Sequence, residues 1–225
     1  SLKQVLLFNG SSGTIISSTA LTKAGPGTLA IRSGGLDTGT GRAYQGPTTL
    51  RNGTLVLSED DFGQLSGYNP FNGRTYSTTG GSLGYSPFTT AVRIGDSGTA
   101  PADDLKLIAN GDGRYVGHNI EVFNKGNTVT LGMTTGTVMF ANTLTLHRDI
   151  TLSGPANGVM AFSNIVAASD FSGPITPTLT GLAGLRFEGT VPAGLSLALN
   201  GRQLRFGSSV VRATTLNALA LGSVA

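Results

Sequence analysis

The shortness of its regular runs is what most constrains this chain. Between Leu21 and Leu57 two runs alternate apolar and polar residues, Thr28-Leu29-Ala30-Ile31 and Thr54-Leu55-Val56-Leu57. Each follows a corner built of Gly, Pro or Asn, Gly25-Pro26-Gly27 in one case and Asn52-Gly53 in the other. Period-two alternation bounded by glycine marks a half-buried β-strand, and glycine supplies the positive φ that a tight corner needs. No helical stripe accompanies these runs. Strands this short cannot close a core by themselves, so the units have to stack on similar units, which is the logic of a solenoid.

The same punctuation continues along the chain. Gln4 to Phe8 is a compact apolar strand candidate and Thr14-Ile15-Ile16 is the next. Regular runs resume at Ala91 to Ile94, Leu105 to Ile108 and Ile120 to Phe123, then crowd together from Thr128 to Phe162. Each gap carries Gly, Asn or Asp, and the density predicts rungs of roughly 20–25 residues with two or three strands each. Residues 59–90 interrupt the pattern with a Gly-, Ser- and aromatic-rich insertion. A long loop without regular structure inside a compact domain is uncommon and is often functional. Gly173 to Pro177 reads as a spacer, which divides the chain into a solenoid over 1–168 and a tail over 169–225. In the tail Asn200-Gly201, set between two alternating runs, is a strong hairpin signal. The tail is therefore either an antiparallel hairpin module or the last solenoid rungs.

Composition narrows the function. The chain has 225 residues, no Cys and 12% charged residues, so a disulfide framework and a Cys-ligated metal site are excluded. With 39% apolar residues in alternating runs, it is ordered β structure and not a disordered tract. Net charge is +3 and the basic residues are spread singly, whereas nucleic-acid binding needs a clustered basic face. Arg202, Arg205 and Arg212 come nearest to a cluster, but the odd spacing of Arg202 and Arg205 puts them on opposite sides of a regular strand. No run of ~18 apolar residues is present to span a membrane as a helix. Ser1-Leu2-Lys3 is neither an initiator Met nor a signal peptide, so the chain is expected to be a processed or excised segment.

The 21–57 stretch also carries a family resemblance. Leu21, Lys23, Gly25, Gly27, Leu29 and Ile31 follow the opening L-x-K-x-G-x-G-x-L-x-L of the passenger-associated autotransporter repeat, also called the autotransporter-associated β-strand repeat. Tyr44, Gly46, Thr48, Leu50, Gly53, Thr54, Leu55 and Leu57 resemble its second half, Y-x-G-x-T-x-V-x-x-G-T-L-x-L. The segment Arg32 to Ala43 is longer than the usual spacer and is expected to loop outward. Ala91 to Val166 is similar to the non-motif rungs that flank such repeats in giant surface proteins, while Asp170 to Ala225 carries no such resemblance. The resemblance implies a parallel β-helical passenger of a bacterial surface or secreted protein. The expected fold is all-β: a right-handed parallel β-helix with the insertion at 59–90. The expected location is extracellular or on the bacterial cell surface.

Candidate chemistry is sparse. Asp96, Asp103, Asp104 and Asp112 flank one strand in a Gly-rich setting, and hard oxygen ligands there would suit Ca²⁺. Their spacing matches no EF-hand and no nonapeptide repeat, so solvated corner aspartates are the favoured reading. A glycoside hydrolase needs two carboxylates converging on one groove, and no such pair stands out. His118 and His147 are the sole imidazoles, no G-x-S-x-G elbow accompanies them, and both read as polar corner positions. The glycine pairs match no phosphate or dinucleotide loop. Neither a catalytic residue nor a cofactor is expected. Tyr68, Tyr76 and Tyr85 of the insertion could stack on sugars or pack back on the solenoid flank.

Three functions compete on these grounds. The first, and favoured, is a non-catalytic structural or adhesive solenoid, either a segment of a larger surface protein or a subunit that assembles end to end. The others are a glycan-binding module and a polysaccharide-degrading β-helix enzyme. The favoured reading places the contacts at the ends. Val5, Leu6, Leu7 and Phe8 at one end, and Leu216, Leu219 and Leu221 at the other, lie in uncharged runs without the polar cap that solenoids use for solubility. Such edges recruit further strands, from neighbouring rungs of a longer chain or from another copy.

Overall fold

The structure, a computed structural model, describes residues 5–9, 20–32, 47–58, 67–68, 75–76, 91–192, 194–206 and 218–220. Among these there is no helix. In chain order the strands are β1 (Val5–Asn9), β2 (Leu21–Lys23), β3 (Thr28–Arg32), β4 (Thr48–Leu50), β5 (Gly53–Leu57), β6 (Gly67–Tyr68) and β7 (Thr75–Tyr76). There follow β8 (Val92–Ile94), β9 (Asp104–Ala109), β10 (Arg114–Val116), β11 (Ile120–Val122), β12 (Thr128–Met133), β13 (Thr137–Leu146) and β14 (Thr151–Ser153). The last are β15 (Val159–Ala167), β16 (Thr178–Thr180), β17 (Gly184–Phe187), β18 (Ser196–Ala198), β19 (Gln203–Phe206) and β20 (Ala218–Ala220).

These strands stack as the coils of a β-solenoid. A seven-stranded sheet runs β1-β3-β5-β9-β12-β14-β16. A nine-stranded sheet runs β2-β4-β8-β11-β13-β15-β17-β19, with β10 beside β13. Pairing in both sheets is parallel, as in Leu29↔Leu55 and Phe162↔Phe187. Strands adjacent in sequence alternate between the two sheets over most of the chain, so each coil is a strand, a corner and the next face. β13 is the element that shapes the coil. Its register shifts between Phe140, opposite Phe162, and Thr143, opposite Asn164. One extra residue on β13 makes a bulge, and a bulge bends the strand that carries it. The first half of β13 then pairs with β10 and the second half with β11. The coils from β9 to β15 thus carry three strand segments.

The core is built by columns of like residues. Leu29, Leu55, Leu107, Leu131 and Leu152 occupy successive register positions and are all buried. Leu179, partly buried, closes the column in register with Leu152. Stacking identical side chains one strand spacing apart fills the interior without mismatch, and each buried Leu contributes ~1.5–3 kcal/mol of transfer free energy. Leu29, Ile31, Leu55, Leu57, Val129, Leu131, Leu144 and Leu146 all lie in this core, every second residue of their strands. Gly53 shows why its corner needs glycine: φ is +78°, and a Cβ would run into the carbonyl oxygen of Gly27 in the neighbouring coil.

Three expectations change. Within the insertion, β6 and β7 form a short antiparallel ladder, Gly67↔Tyr76 and Tyr68↔Thr75, so it is not wholly irregular. The Asn200-Gly201 turn forms, with φ of 47° and 79° and Arg202 N–H donating to the Leu199 carbonyl at 2.9 Å. It does not, however, make a hairpin. β19 pairs in parallel with β17, and β18 pairs in parallel with β20. The turn fixes a local corner, while the rungs already stacked decide which edge each strand joins. Gly173 to Pro177 is not a free spacer either. Ile175 is buried, and the Thr176 N–H donates to Asp149 Oδ1 at 2.6 Å. The sheets run on through it. His118 does sit at a corner, between β10 and β11, and is buried there.

Candidate functional site

The polar residues that sequence reading singled out sit at the corners between faces, and most are spent on bonds from one coil to the next. The Asp96 carboxylate takes a forked pair from Arg51, Nε at 2.8 Å and Nη2 at 2.8 Å. This guanidinium holds the Asp96 carboxyl below its ordinary value, and the carboxylate raises the Arg51 value in return. Asp103 accepts from Asn52 Nδ2 at 2.5 Å and from the Ala100 N–H at 2.8 Å. Asp104 accepts from Thr128 Oγ1 at 2.5 Å, which lowers its value. Asp112 accepts from the N–H groups of Gly113 and Thr137 at 2.8 and 2.7 Å. The four aspartates therefore do not converge, each having its own partners. Among the described residues no three acidic or imidazole side chains group as metal ligands.

Asp112 belongs to a rule that the sequence did not make visible. The Asn119 Oδ1 accepts from the Thr143 N–H, Asp149 Oδ1 from Thr176 and Asn164 Oδ1 from Thr190. With Asp112 and Thr137, the separations are 24, 27, 26 and 25 residues, one coil each. An Asx side chain reaches forward to the backbone N–H of a threonine in the next coil, satisfying a donor that a corner would otherwise leave open. The signal is an Asx followed by Thr one coil later, and it becomes readable once the coil length is known. Gly136 keeps the space clear, since a Cβ there would strike the Asp112 carboxylate.

Two cations close corners on the carbonyl side. Lys23 is buried, and its Nζ donates to the carbonyls of Ala24, Gly25 and Asn52 at 3.2, 2.6 and 2.8 Å. Burial lowers its value, while three acceptors hold the protonated form. Arg148 does the same job later, donating from Nη1 to the carbonyls of Lys125 and Gly126 and from Nη2 to Asn127.

One place brings titratable groups together across three coils. His147 follows β13 at a corner. Its Nδ1 is 2.6 Å from Asp170 Oδ1 and its Nε2 is 3.1 Å from Glu121 Oε1. The ring stacks on Phe123 at 5.1 Å between centroids, and the Arg93 guanidinium lies 5.8 Å from the Phe123 centroid. Ionised carboxylates only accept, so both contacts are hydrogen bonds when both ring nitrogens carry protons. With each nitrogen engaged by an acid and the ring face covered, this imidazole is committed to its neighbours. The arrangement is an inter-coil clasp.

The remaining predicted contacts fall at the ends and in the insertion. Val5, Leu6, Leu7 and Phe8 lie in β1, the end strand of the seven-stranded sheet. Leu219 lies in β20, in register with Leu197. Leu216, Leu221 and Tyr85 lie outside the described residues. Tyr68 and Tyr76 lie in the β6–β7 ladder, in register with Thr75 and Gly67 respectively. A residue that sequence reading passed over is Phe206. It is 47% exposed, the one exposed large hydrophobic side chain among the described residues. It sits on β19, the other end strand of the nine-stranded sheet.

Fold and site together define the class: an all-β, parallel β-solenoid. No family model matches the chain, no curated protein resembles it, and no solved structure is similar to it.

Proposed function

We propose that the chain is a non-catalytic structural solenoid of the bacterial cell surface, a rigid rod that extends by adding strands at its ends. The observation that carries this reading is the placement of β1 and β19. Each is the last strand of its sheet and has one strand partner among the described residues, β3 and β17 respectively. A backbone edge left without a ladder partner is a template for another strand. The corners support the same reading, because their acids and bases are tied up between coils and are not gathered around a groove. The surface location and the membership in the autotransporter-associated repeat family rest on the motif at 21–57, in which Lys23 and Gly53 hold adjacent coils together.

The partner at an end is either the next rungs of a longer chain or a second copy. For the chain as it stands, particle size is followed by light scattering over a wide concentration range. The rod reading expects growth with concentration that Val5→Lys with Leu7→Lys suppresses, because charge on an edge strand blocks pairing. A wild type that stays monomeric at high concentration, or release of reducing sugar from polysaccharides by the purified protein, overturns it.

A further inference from the structure

The turn between β18 and β19 holds the one non-glycine residue with positive φ among the described residues, Asn200 at 47°, followed by Gly201 at 79°. An Asn-Gly step sets a side-chain amide beside a backbone nitrogen that no following Cβ shields. Four such steps fall wholly within the described residues, at 52–53, 110–111, 157–158 and 200–201. In three of them the neighbouring structure engages the reacting groups. Asn52 Nδ2 donates to Asp103 Oδ1 at 2.5 Å, and Gly53 is buried. Thr134 Oγ1 donates to Asn110 Oδ1 at 2.9 Å and accepts from the Gly111 N–H at 3.0 Å. The Gly158 N–H donates to the Pro155 carbonyl at 2.8 Å, and Gly158 is buried. The fourth step is open. Asn200 and Gly201 are both exposed, and among the described residues no hydrogen bond engages the Asn200 side chain or the Gly201 N–H. A Cβ at position 201 would meet nothing within 4 Å, whereas one at 53, 111 or 158 would meet an atom at 2.4, 2.6 or 2.9 Å.

We propose that Asn200 is a site of spontaneous covalent modification, converted through a cyclic imide to an aspartyl or isoaspartyl residue with water as the co-reactant. The Gly201 backbone nitrogen attacks Asn200 Cγ and bonds to it. The Cγ–Nδ2 bond breaks, and the side-chain nitrogen leaves as ammonia with the proton of the Gly201 N–H. Water then adds to one of the two imide carbonyls. The bond from that carbonyl to the ring nitrogen breaks, a carboxyl group forms and the nitrogen regains a proton. Nothing is oxidised or reduced. Opening at the backbone carbonyl leaves the main chain running through Cγ, which is the isoaspartyl form. The attack requires the backbone at 200 to rotate until the Gly201 nitrogen lies against Cγ. What holds the turn is one acceptor, the Leu199 carbonyl, which takes the Arg202 N–H at 2.9 Å and Arg202 Nη1 at 3.2 Å. A side-chain-bearing residue occupies the left-handed region at a cost, so opening releases strain at 200. At the other three steps opening first breaks the bonds named above. The isoaspartyl form adds an atom to the main chain inside the turn, so the ring closed between Leu199 and Arg202 no longer fits and the link from β18 to β19 loosens.

The test follows purified wild-type protein held at mildly alkaline pH, with aspartate and isoaspartate at each of the four steps measured by peptide mapping and mass spectrometry. One hydrogen bond of ordinary net strength changes how often a site opens by a factor of up to about ten. Asn200 is therefore expected to react about tenfold faster, or more, than Asn52, Asn110 and Asn157. In denaturant the structural differences between the steps vanish, and the four rates should converge. Equal rates in the native protein, or a faster reaction at one of the other three steps, overturn the proposal. A lead for Asn200 that persists undiminished in denaturant also overturns it, because the cause then lies in the adjacent sequence and not in the fold. Asn200→Asp supplies the aspartyl product without the longer main chain. Amide exchange at Arg202 should match the wild type in that variant and quicken in the isoaspartyl fraction of the aged protein. Equal exchange in both overturns the loosening of the turn.

Discussion

At the scale of single residues, this fold is held at its corners by side chains that reach along the axis. Lys23 gathers three carbonyls from two coils at the start of the repeat motif. Replacing it with Met leaves buried acceptors without donors, which costs ~1–3 kcal/mol, and a chemical denaturation midpoint that does not move would show those carbonyls to be solvated. The Arg51–Asp96 fork ties two coils 45 residues apart. Because Arg51 holds the folded Asp96 carboxyl below its unfolded value, the unfolded state binds the proton more readily. The stability from this pair is present above the unfolded value and is lost as pH falls through the folded one. Asp96→Asn should therefore be less stable than wild type near neutrality, and the gap should close on acidification below pH ~4. Parallel melting curves from pH 7 to pH 2 measure this, and a constant gap contradicts it.

At the scale of elements, stability should follow the ladder. β12, β13, β14 and β15 each pair on both sides, so amide exchange should be slowest over residues 128–167 and faster toward β1 and β19. Exchange that is uniform along the chain would argue against a stack with frayed ends. Leu55 sits between Leu29 and Leu107 with no exposed surface. Leu55→Ala should cost about 2–5 kcal/mol, the transfer term plus a cavity that its neighbours cannot fill. These elements were readable because period two and flanking glycine are local signals, and Leu55 and Leu144 could be placed inward from alternation alone. The pairing was less readable. Asn200-Gly201 makes the turn its residues dictate, yet β18 and β19 find partners in other coils, since edge pairing depends on where earlier rungs lie. The corner bonds were least readable of all. Asp112 finds Thr137 and Asp149 finds Thr176 across a coil length, and nothing adjacent in sequence announces the partner. The His147 clasp, joining Glu121 and Asp170 from either side, was hidden for the same reason.

At the scale of the whole molecule, the consequence of this construction is length. A parallel solenoid with its corners stapled coil to coil behaves as a one-dimensional stack in which each rung contacts its neighbours. On the proposed reading its growth points are its end strands, β19 among them, where Phe206 leaves an exposed ring at the end of a buried stack. The most direct measurement is diffraction from aligned, concentrated wild-type protein, read together with electron micrographs of the same sample. Strands that run across the rod axis and continue from copy to copy place a reflection at about 4.8 Å along the long axis of the particles. The account predicts that reflection from elongated particles whose length rises with concentration. Compact particles of single-chain size, or a strand spacing directed across the long axis, would contradict it.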